Sequence, residues 1–177
     1  MIRIIGIGSP FGDDAAGLEA ARHLAAAPPA DVEVIVADRP GAGLIDLFDG
    51  ADAVILIDAA RSGAPVGTIH DLDLHALPAH PLRLVSSHDL GVAEAVQLAA
   101  TLGRLPPHGR VLGIEVAPIC TAEAAGLSEA ARRGVSEATK RVRWWCSAGE
   151  LTPRPAGPLL CAHLRARRRV RVEARSD

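Results

Sequence analysis

The amino-acid sequence predicts an α/β fold with a mainly parallel, twisted sheet and helices on both faces, in three layers. Strand-like apolar runs alternate with helical patterns along the chain, as is typical of parallel strands joined by covering helices. The 177 residues are 49% hydrophobic but only 2% aromatic, so Val, Leu, Ile and Ala must fill the core. Such small side chains suit helices that pack closely on a sheet, and this length predicts a single domain.

The strands are predicted from short runs of apolar residues. These runs occupy residues 2–7, 32–37, 53–57 and 110–117, with a weaker run around 82–85. Segment 68–72 is also β-like, and the loop rich in His and Pro that follows it predicts an excursion beside the main sheet.

Four helices are predicted between and after these strands. The first covers about 14–27, the second about 41–49, and the third about 88–102, with Ser87 as its cap and Gly103 as its end. The fourth begins after Ser128, because apolar residues then recur at spacings of three and four (Ala131, Val135, Ala138, Val142 and Trp145). Of the neighbours Trp144 and Trp145, we expect one in the core and one on the surface.

The last part of the chain has a different composition. Residues 151–177 carry seven arginines against Glu173 and Asp177, and prolines precede the arginine cluster. This pattern predicts a domain over 1–150 and a basic, disordered tail over 151–177. Such a tail can bind nucleic acid or an acidic surface, but a solvated extension is the favoured interpretation.

Several classes of protein are disfavoured by the same sequence. No apolar run approaches the roughly 18 residues that a membrane-spanning helix needs, and the first residues resemble a strand rather than a signal peptide. The three cysteines have no C-x-x-C spacing, so neither a disulfide framework nor a zinc ribbon is predicted. We expect a cytoplasmic monomer that binds neither nucleic acid nor a membrane.

Polar residues follow three of the predicted strands. Asp13 and Asp14 come after the first strand, Asp58 ends the third, and His88 follows the run at 82–85. Loops at the carboxyl ends of parallel strands meet at one edge of the sheet. Asp14, Asp58 and His88 would then offer two oxygens and one nitrogen to a divalent transition metal, which predicts a catalytic site for metal-assisted hydrolysis.

Each of these residues also has a structural interpretation. Asp13 or Asp14 could cap the first helix. Asp58 follows a buried run and needs a partner there, so a salt bridge with Arg61 is the alternative to a metal. His88 could be a structural histidine at a helix start. The glycine pattern lacks the spacing of a nucleotide-binding loop, and no G-x-S-x-G motif supports a serine triad.

Four ordered blocks resemble those of the hydrogenase maturation endopeptidases, which trim the C-terminal extension from the large-subunit precursor of nickel-iron hydrogenases. Residues 6–17 (G-I-G-S-P-F-G-D-D-A-A-G) are similar to the opening block, with Ser9 where asparagine is usual. Residues 54–68 resemble the second acidic block, residues 84–91 the histidine block, and residues 113–115 with 126–128 the closing strand and last helix start.

The resemblance covers about residues 1–145 and implies an identity for the metal. The family's nickel-contacting residues correspond to Asp14, Asp58 and His88. The nickel is carried by the substrate precursor, so the resemblance implies a metal-gated endopeptidase whose partner is a hydrogenase large-subunit precursor.

Two other classes of function remain alternatives. A response-regulator receiver domain also has an acidic pair after its first strand and a phosphorylated aspartate, here Asp58, after its third. Such a domain needs a lysine at the end of its fifth strand, whereas Lys140, the one lysine in the sequence, falls in the last predicted helix. The second alternative is a partner-binding protein with an inactive site.

Overall fold

The computed structural model describes residues 1–80, 82–84, 90–117, 126–150 and 169–173. Its strands are β1 (Ile2–Gly8), β2 (Val32–Asp38), β3 (Ala53–Arg61), β4 (Ile69–Asp73), β5 (Arg83–Leu84), β6 (His108–Glu115) and β7 (Arg169–Glu173). Its α-helices are α1 (Ala16–Ala26), α2 (Val92–Thr101) and α3 (Glu129–Ala148), and short 3₁₀ helices cover Gly12–Ala15, Gly41–Phe48 and Leu74–Ala79.

The strands form one mixed sheet in the order β4-β6-β3-β1-β2-β7. Neighbours from β6 to β7 run parallel. The edge strand β4 is antiparallel to β6, and β5 is antiparallel to the end of β3. In the register of the two central strands, Gly6 of β1 lies beside Ile57 of β3, so both strands end at the same edge. The predicted fold class is confirmed.

Apolar side chains fill both faces of the sheet and form two core layers. One layer joins the sheet to α1 and α3 through residues such as Leu18, Leu24 and Val135. The other joins it to α2 and the longer 3₁₀ helices through residues such as Val96 and Phe48. Helices therefore cover both faces, as the alternation in the sequence predicted.

Helix α1 approaches the sheet more closely than any side chain would allow. A Cβ atom on Gly17 would lie 2.1 Å from the carbonyl oxygen of Ile7 and 2.3 Å from that of Ile57. One on Gly6 would lie 2.2 Å from the carbonyl oxygen of Gly17. These two glycines bring the start of α1 into backbone contact with β1 and β3, near the edge where both strands end.

Several predicted elements differ from those observed. The first predicted helix (14–27) begins as α1 only at Ala16, after a 3₁₀ helix over Gly12–Ala15, and the second predicted helix (41–49) is a 3₁₀ helix over Gly41–Phe48. Helix α2 begins at Val92 with Gly91 as its cap, while Ser87 lies outside the described residues. Segment 69–73 is a sheet strand and not an excursion, because β6 supplies hydrogen-bonding partners at its edge.

The prediction for the C-terminal segment needs a correction. Residues 169–173, expected to be disordered, form strand β7 and pair with Glu33–Ala37 of β2, since β2 would otherwise leave its edge hydrogen bonds unpaired. The boundary at residue 150 remains a prediction. Within the described ranges, no helix combines the length and apolarity needed to cross a membrane.

Candidate active site at the carboxyl edge of the sheet

Two of the three predicted site residues lie at the carboxyl ends of adjacent central strands. Asp58 belongs to the last part of β3 and is fully buried, with 0% exposure. Asp14 lies in the 3₁₀ turn after β1 and is 5% exposed. A Cβ on Gly8 would lie 2.1 Å from the backbone oxygen of Asp14, so glycine lets this turn fold back on the end of β1.

Among the described residues, each of the two carboxyl groups accepts a hydrogen bond through only one of its oxygens. Asp14 Oδ2 accepts a hydrogen bond from the Ser9 N–H at 3.0 Å, and Asp58 Oδ1 accepts one from the Ala59 N–H at 2.8 Å. The other oxygens, Asp14 Oδ1 and Asp58 Oδ2, are buried and have no hydrogen-bond partner in the described part of the protein. Unpaired buried carboxylate oxygens are costly, so they favour a cation at this place.

Asp58 has a shifted pKa. Burial raises the pKa of Asp58 well above its ordinary value of 3.8; the Ala59 N–H lowers it, and the negative charge of Asp14 raises it. The two carboxyl groups are therefore close enough to repel each other. A bound cation would relieve both the repulsion and the desolvation, which is the behaviour of a metal or cation site.

The salt bridge between Asp58 and Arg61, the structural alternative, is wrong. Arg61 Nε and Nη2 are buried and, like Asp58 Oδ2, have no hydrogen-bond partner among the described residues. His88 lies outside the described residues, and within them no group of three His, Cys, Asp or Glu side chains could hold a metal. The structure thus brings Asp14 and Asp58 to the same edge of the sheet, and the metal-binding role of all three residues remains a prediction.

Asp13 has a different role from its neighbour Asp14. Its Oδ1 accepts a hydrogen bond from the Ser128 N–H at 2.5 Å, and its Oδ2 accepts one from Ser128 Oγ at 2.8 Å. Ser128 Oγ also caps α3 by accepting from the Ala131 N–H at 3.2 Å. Neither aspartate caps α1, whose cap residue Ala15 has no side-chain bond. Asp13 instead fastens the site loop to the start of α3, which favours a negative charge.

Replacing Asp13 by Ala should therefore cost about 1 kcal/mol of the free energy of unfolding, the typical value of a helix cap. Urea denaturation would measure the loss. Because Ser128→Ala breaks the same contact, the double variant should lose less than the sum of the two single losses. Fully additive losses would show that the Asp13–Ser128 contact contributes nothing.

A positive charge lies beside the acidic pair. Arg39 follows β2 with a φ of +46°, a backbone conformation that favours glycine. Its N–H donates to the Gly8 carbonyl at 3.0 Å, and its Nε donates to Asp38 at 2.6 Å. That bond raises the pKa of Arg39, burial lowers it, and the charges of Asp38 and Asp14 raise it further. Arg39 therefore partly balances the negative charge at this edge.

A second polar cluster lies at the end of β6 and was not singled out from the sequence. Buried Glu115 accepts hydrogen bonds from the Ser62 N–H at 2.8 Å, the Gly63 N–H at 2.9 Å and Ser62 Oγ at 2.9 Å. His70 Nε2 lies 2.8 Å from Glu115 and 3.3 Å from Ser62 Oγ. Because one ring nitrogen faces both groups, this is not a catalytic triad, in which the acid and the serine face opposite nitrogens.

Glu115 should stabilise the fold by joining the turn after β3 to β4 and β6. Burial raises its pKa, but the hydrogen bonds from Ser62, His70 and Gly63 outweigh burial, so the pKa is lowered overall. A lowered pKa contributes stability above the pKa of the unfolded state, and this is lost as the pH falls through the folded value.

Glu115→Gln should therefore cost about 2 kcal/mol of unfolding free energy at neutral pH, the range for hydrogen bonds to charged groups. The loss should shrink in acid, where the wild-type carboxyl also becomes neutral. Urea titrations at several pH values would measure both effects, and a loss that does not depend on pH would contradict the assigned charge.

Comparisons with known proteins identify the family of this chain. The family model HycI, hydrogenase maturation protease, matches residues 18–144. The hydrogenase expression/formation protein HupD of Thiocapsa roseopersicina is 28% identical over 120 residues, which is 64% of this chain and 53% of that protein. The chain therefore spans about half the length of this curated relative.

Solved structures share the fold. The hydrogenase maturating endopeptidase HybD from E. coli matches with a TM-score of 0.70 and 23% identity over 84% of this chain and 93% of that one. The [NiFe] hydrogenase maturation protease HybD from Thermococcus kodakarensis matches with a TM-score of 0.64 and 23% identity, over 82% of this chain and 98% of that one. The resemblance drawn from the sequence motifs is confirmed: the chain belongs to the hydrogenase maturation protease family.

Proposed function

We propose that this protein is an endopeptidase that removes the C-terminal extension from a nickel-loaded hydrogenase large-subunit precursor. Nickel that is already bound in the precursor would be recognised by Asp14, Asp58 and His88. The precursor is thus both substrate and partner, and the metal arrives with it. Family membership supports the reaction class, and the site supports the recognition of a cation.

The observation that carries this proposal is the pair of buried oxygens without partners. Asp14 Oδ1 and Asp58 Oδ2 come from two loops that are distant in sequence, and neither has a hydrogen-bond donor in the described structure. A site made only for stability would satisfy these oxygens with N–H groups. An incomplete ligand set instead suits an ion that already has protein ligands of its own.

The described residues that precede His88 in sequence end close to Asp58. Leu84 of β5 pairs with Ala60, which follows Asp58 by two residues. Four residues span at most about 14 Å. The described residues before His88 therefore lead the chain to the same edge of the sheet, which supports its place in the proposed ligand set.

The residues of this chain would act by binding the precursor and by accepting a proton during hydrolysis. Bringing the scissile peptide bond to a fixed place removes much of the entropic barrier to its hydrolysis. A water molecule would then attack the peptide carbonyl, activated by the substrate's metal or by a carboxylate acting as the base.

A gel-shift assay tests the proposal. The protein is incubated with candidate large-subunit precursors with and without nickel, and the precursor is separated by size. A shift to the shorter form should require both the nickel and this protein. Cleavage of nickel-free precursor at the same rate would contradict recognition of the metal. If no nickel-loaded precursor is cleaved, the proposed endopeptidase function is contradicted.

The receiver-domain alternative has less support. Lys140 lies inside α3, and Glu115 occupies the end of β6, where a receiver would need its lysine near the phosphoryl group. Incubation with acetyl phosphate and Mg²⁺ distinguishes the two functions, because only a receiver would acquire an acid-labile phosphate on Asp58.

A further inference from the structure

We propose that Phe11 is a docking residue for the substrate polypeptide: its ring packs against an apolar side chain of the precursor next to the acidic pair. This inference rests on the proposed function and extends it from recognition of the metal to recognition of the polypeptide. Phe11 was not among the site residues predicted from the sequence.

The exposure of Phe11 is the first observation. Its 70% exposure is the largest of any described large hydrophobic residue, in a chain whose composition includes only two Phe and two Trp. The other described Phe, Phe48, is 2% exposed and belongs to the core. A ring that is 70% exposed leaves most of its apolar area open to a partner.

The position of Phe11 is the second observation. It lies three residues before Asp14, and the Ser9 N–H that bonds to Asp14 lies two residues before it. Its own φ of −116° is an ordinary extended value, and its side chain forms no capping bond to the turn that follows. The side chain of Phe11 is therefore exposed on the loop that holds Asp14.

The loop that carries Phe11 is fixed at both of its ends. The Ser9 bond to Asp14 closes the loop on itself, and the two bonds from Asp13 to Ser128 fasten it to α3. A loop that is already ordered loses little conformational entropy on binding, so the apolar area covered by a partner contributes to affinity. This is the arrangement expected for a preformed contact residue.

The chemistry of Phe11 indicates the kind of group that it binds. The residues beside it are Pro10 and Gly12, so the ring has no charged neighbour in sequence. An aliphatic or aromatic side chain of the precursor, close to its nickel-bearing region, would pack well against this ring. A second copy of this chain could also cover the ring, and this is one outcome of the test.

The test compares Phe11→Ala with wild type for cleavage of nickel-loaded precursor and for binding to immobilised precursor. We expect KM and Kd to rise about tenfold, with kcat at saturating precursor unchanged and with the same melting temperature by circular dichroism. Phe11→Leu should recover most of the affinity, since it restores an apolar side chain.

Trp144→Ala is the matched control. Trp144 is an exposed aromatic residue, at 55%, and it lies sixteen residues after Ser128 in sequence, about 24 Å along α3 from the contact with Asp13. This variant should bind and cleave the precursor as wild type does.

Three results would overturn the proposal: unchanged KM and Kd in Phe11→Ala, an equal loss in Trp144→Ala, or a wild-type dimer in sedimentation that Phe11→Ala converts to monomers. If wild type neither binds nor cleaves any loaded precursor, the proposed function fails and this proposal fails with it. If wild type is active and Phe11→Ala is equally active, only the docking role fails.

Discussion

Replacing Asp58 by Asn should reduce the cleavage of nickel-loaded precursor by more than a hundredfold while leaving the protein folded. Removing a residue that only supports a metal ligand typically costs ten- to a hundredfold, and Asp58 is proposed as a ligand itself. The amide keeps the shape of the side chain and can still accept the hydrogen bond from Ala59. It lacks the negative charge that a cation requires.

Although Asp58→Asn should lose activity, we expect it to gain stability towards unfolding relative to wild type as the pH rises. Burial raises the pKa of Asp58 in the folded protein, so the folded state binds this proton more tightly than the unfolded state, whose pKa is near 3.8. The protein then loses stability as the pH rises from the unfolded pKa through the folded one, and the full cost remains above that window. The Asp58→Asn variant has no such cost, so its stability relative to wild type should increase with pH.

Urea denaturation between pH 3 and pH 8 would measure this difference, with Asp46→Asn as the control. Asp46 is an exposed aspartate in a surface pair with Arg104, and its variant should change neither activity nor stability by much. An Asp58→Asn protein that cleaves normally would remove Asp58 from the site. An Asp58→Asn protein whose relative stability does not depend on pH would contradict the raised pKa.

Replacing Gly17 by Ala should cost about 3 kcal/mol or more, which is a large part of the stability of a domain of this size. An alanine in an unobstructed helix would instead stabilise the protein by up to about 1 kcal/mol. The loss is expected because the new Cβ would lie 2.1 Å and 2.3 Å from two backbone oxygens of β1 and β3. Neither oxygen can move without displacing a central strand.

Gly43→Ala provides the comparison. Gly43 lies in a 3₁₀ helix, and no atom lies within 4 Å of the place that its Cβ would take. This variant should be neutral or slightly stabilising by thermal or urea denaturation. A Gly17→Ala protein as stable as Gly43→Ala would show that α1 can move away from the sheet at low cost.

Local sequence patterns predicted the central strands and α3 because those elements depend on periodicity within one segment. The start of α3 after Ser128 and the division of Trp145 and Trp144 between core and surface are confirmed for the same reason. The type of the short helices could not be predicted, since tertiary packing, and not propensity, selects a 3₁₀ turn over a few residues. The place of β4 depends on β6, which lies about forty residues away in sequence.

The candidate site also combines features that could be predicted from the sequence with features that could not. The carboxyl ends of parallel strands brought Asp14 and Asp58 together, as topology alone predicts. The separate role of Asp13 could not be predicted, because its partner Ser128 lies 115 residues away. The absence of an Asp58–Arg61 pair among the described residues likewise depends on side-chain directions that sequence spacing does not determine.

The contact between Asp13 and Ser128 also affects when the site can form during synthesis. The loop that holds Asp14 leaves the ribosome more than a hundred residues before its anchor, Ser128. Closing so long a loop is slow compared with forming a helix. A nascent or truncated chain that lacks α3 would therefore hold Asp14 in a loose loop, and the proposed recognition of nickel would begin only once α3 has docked.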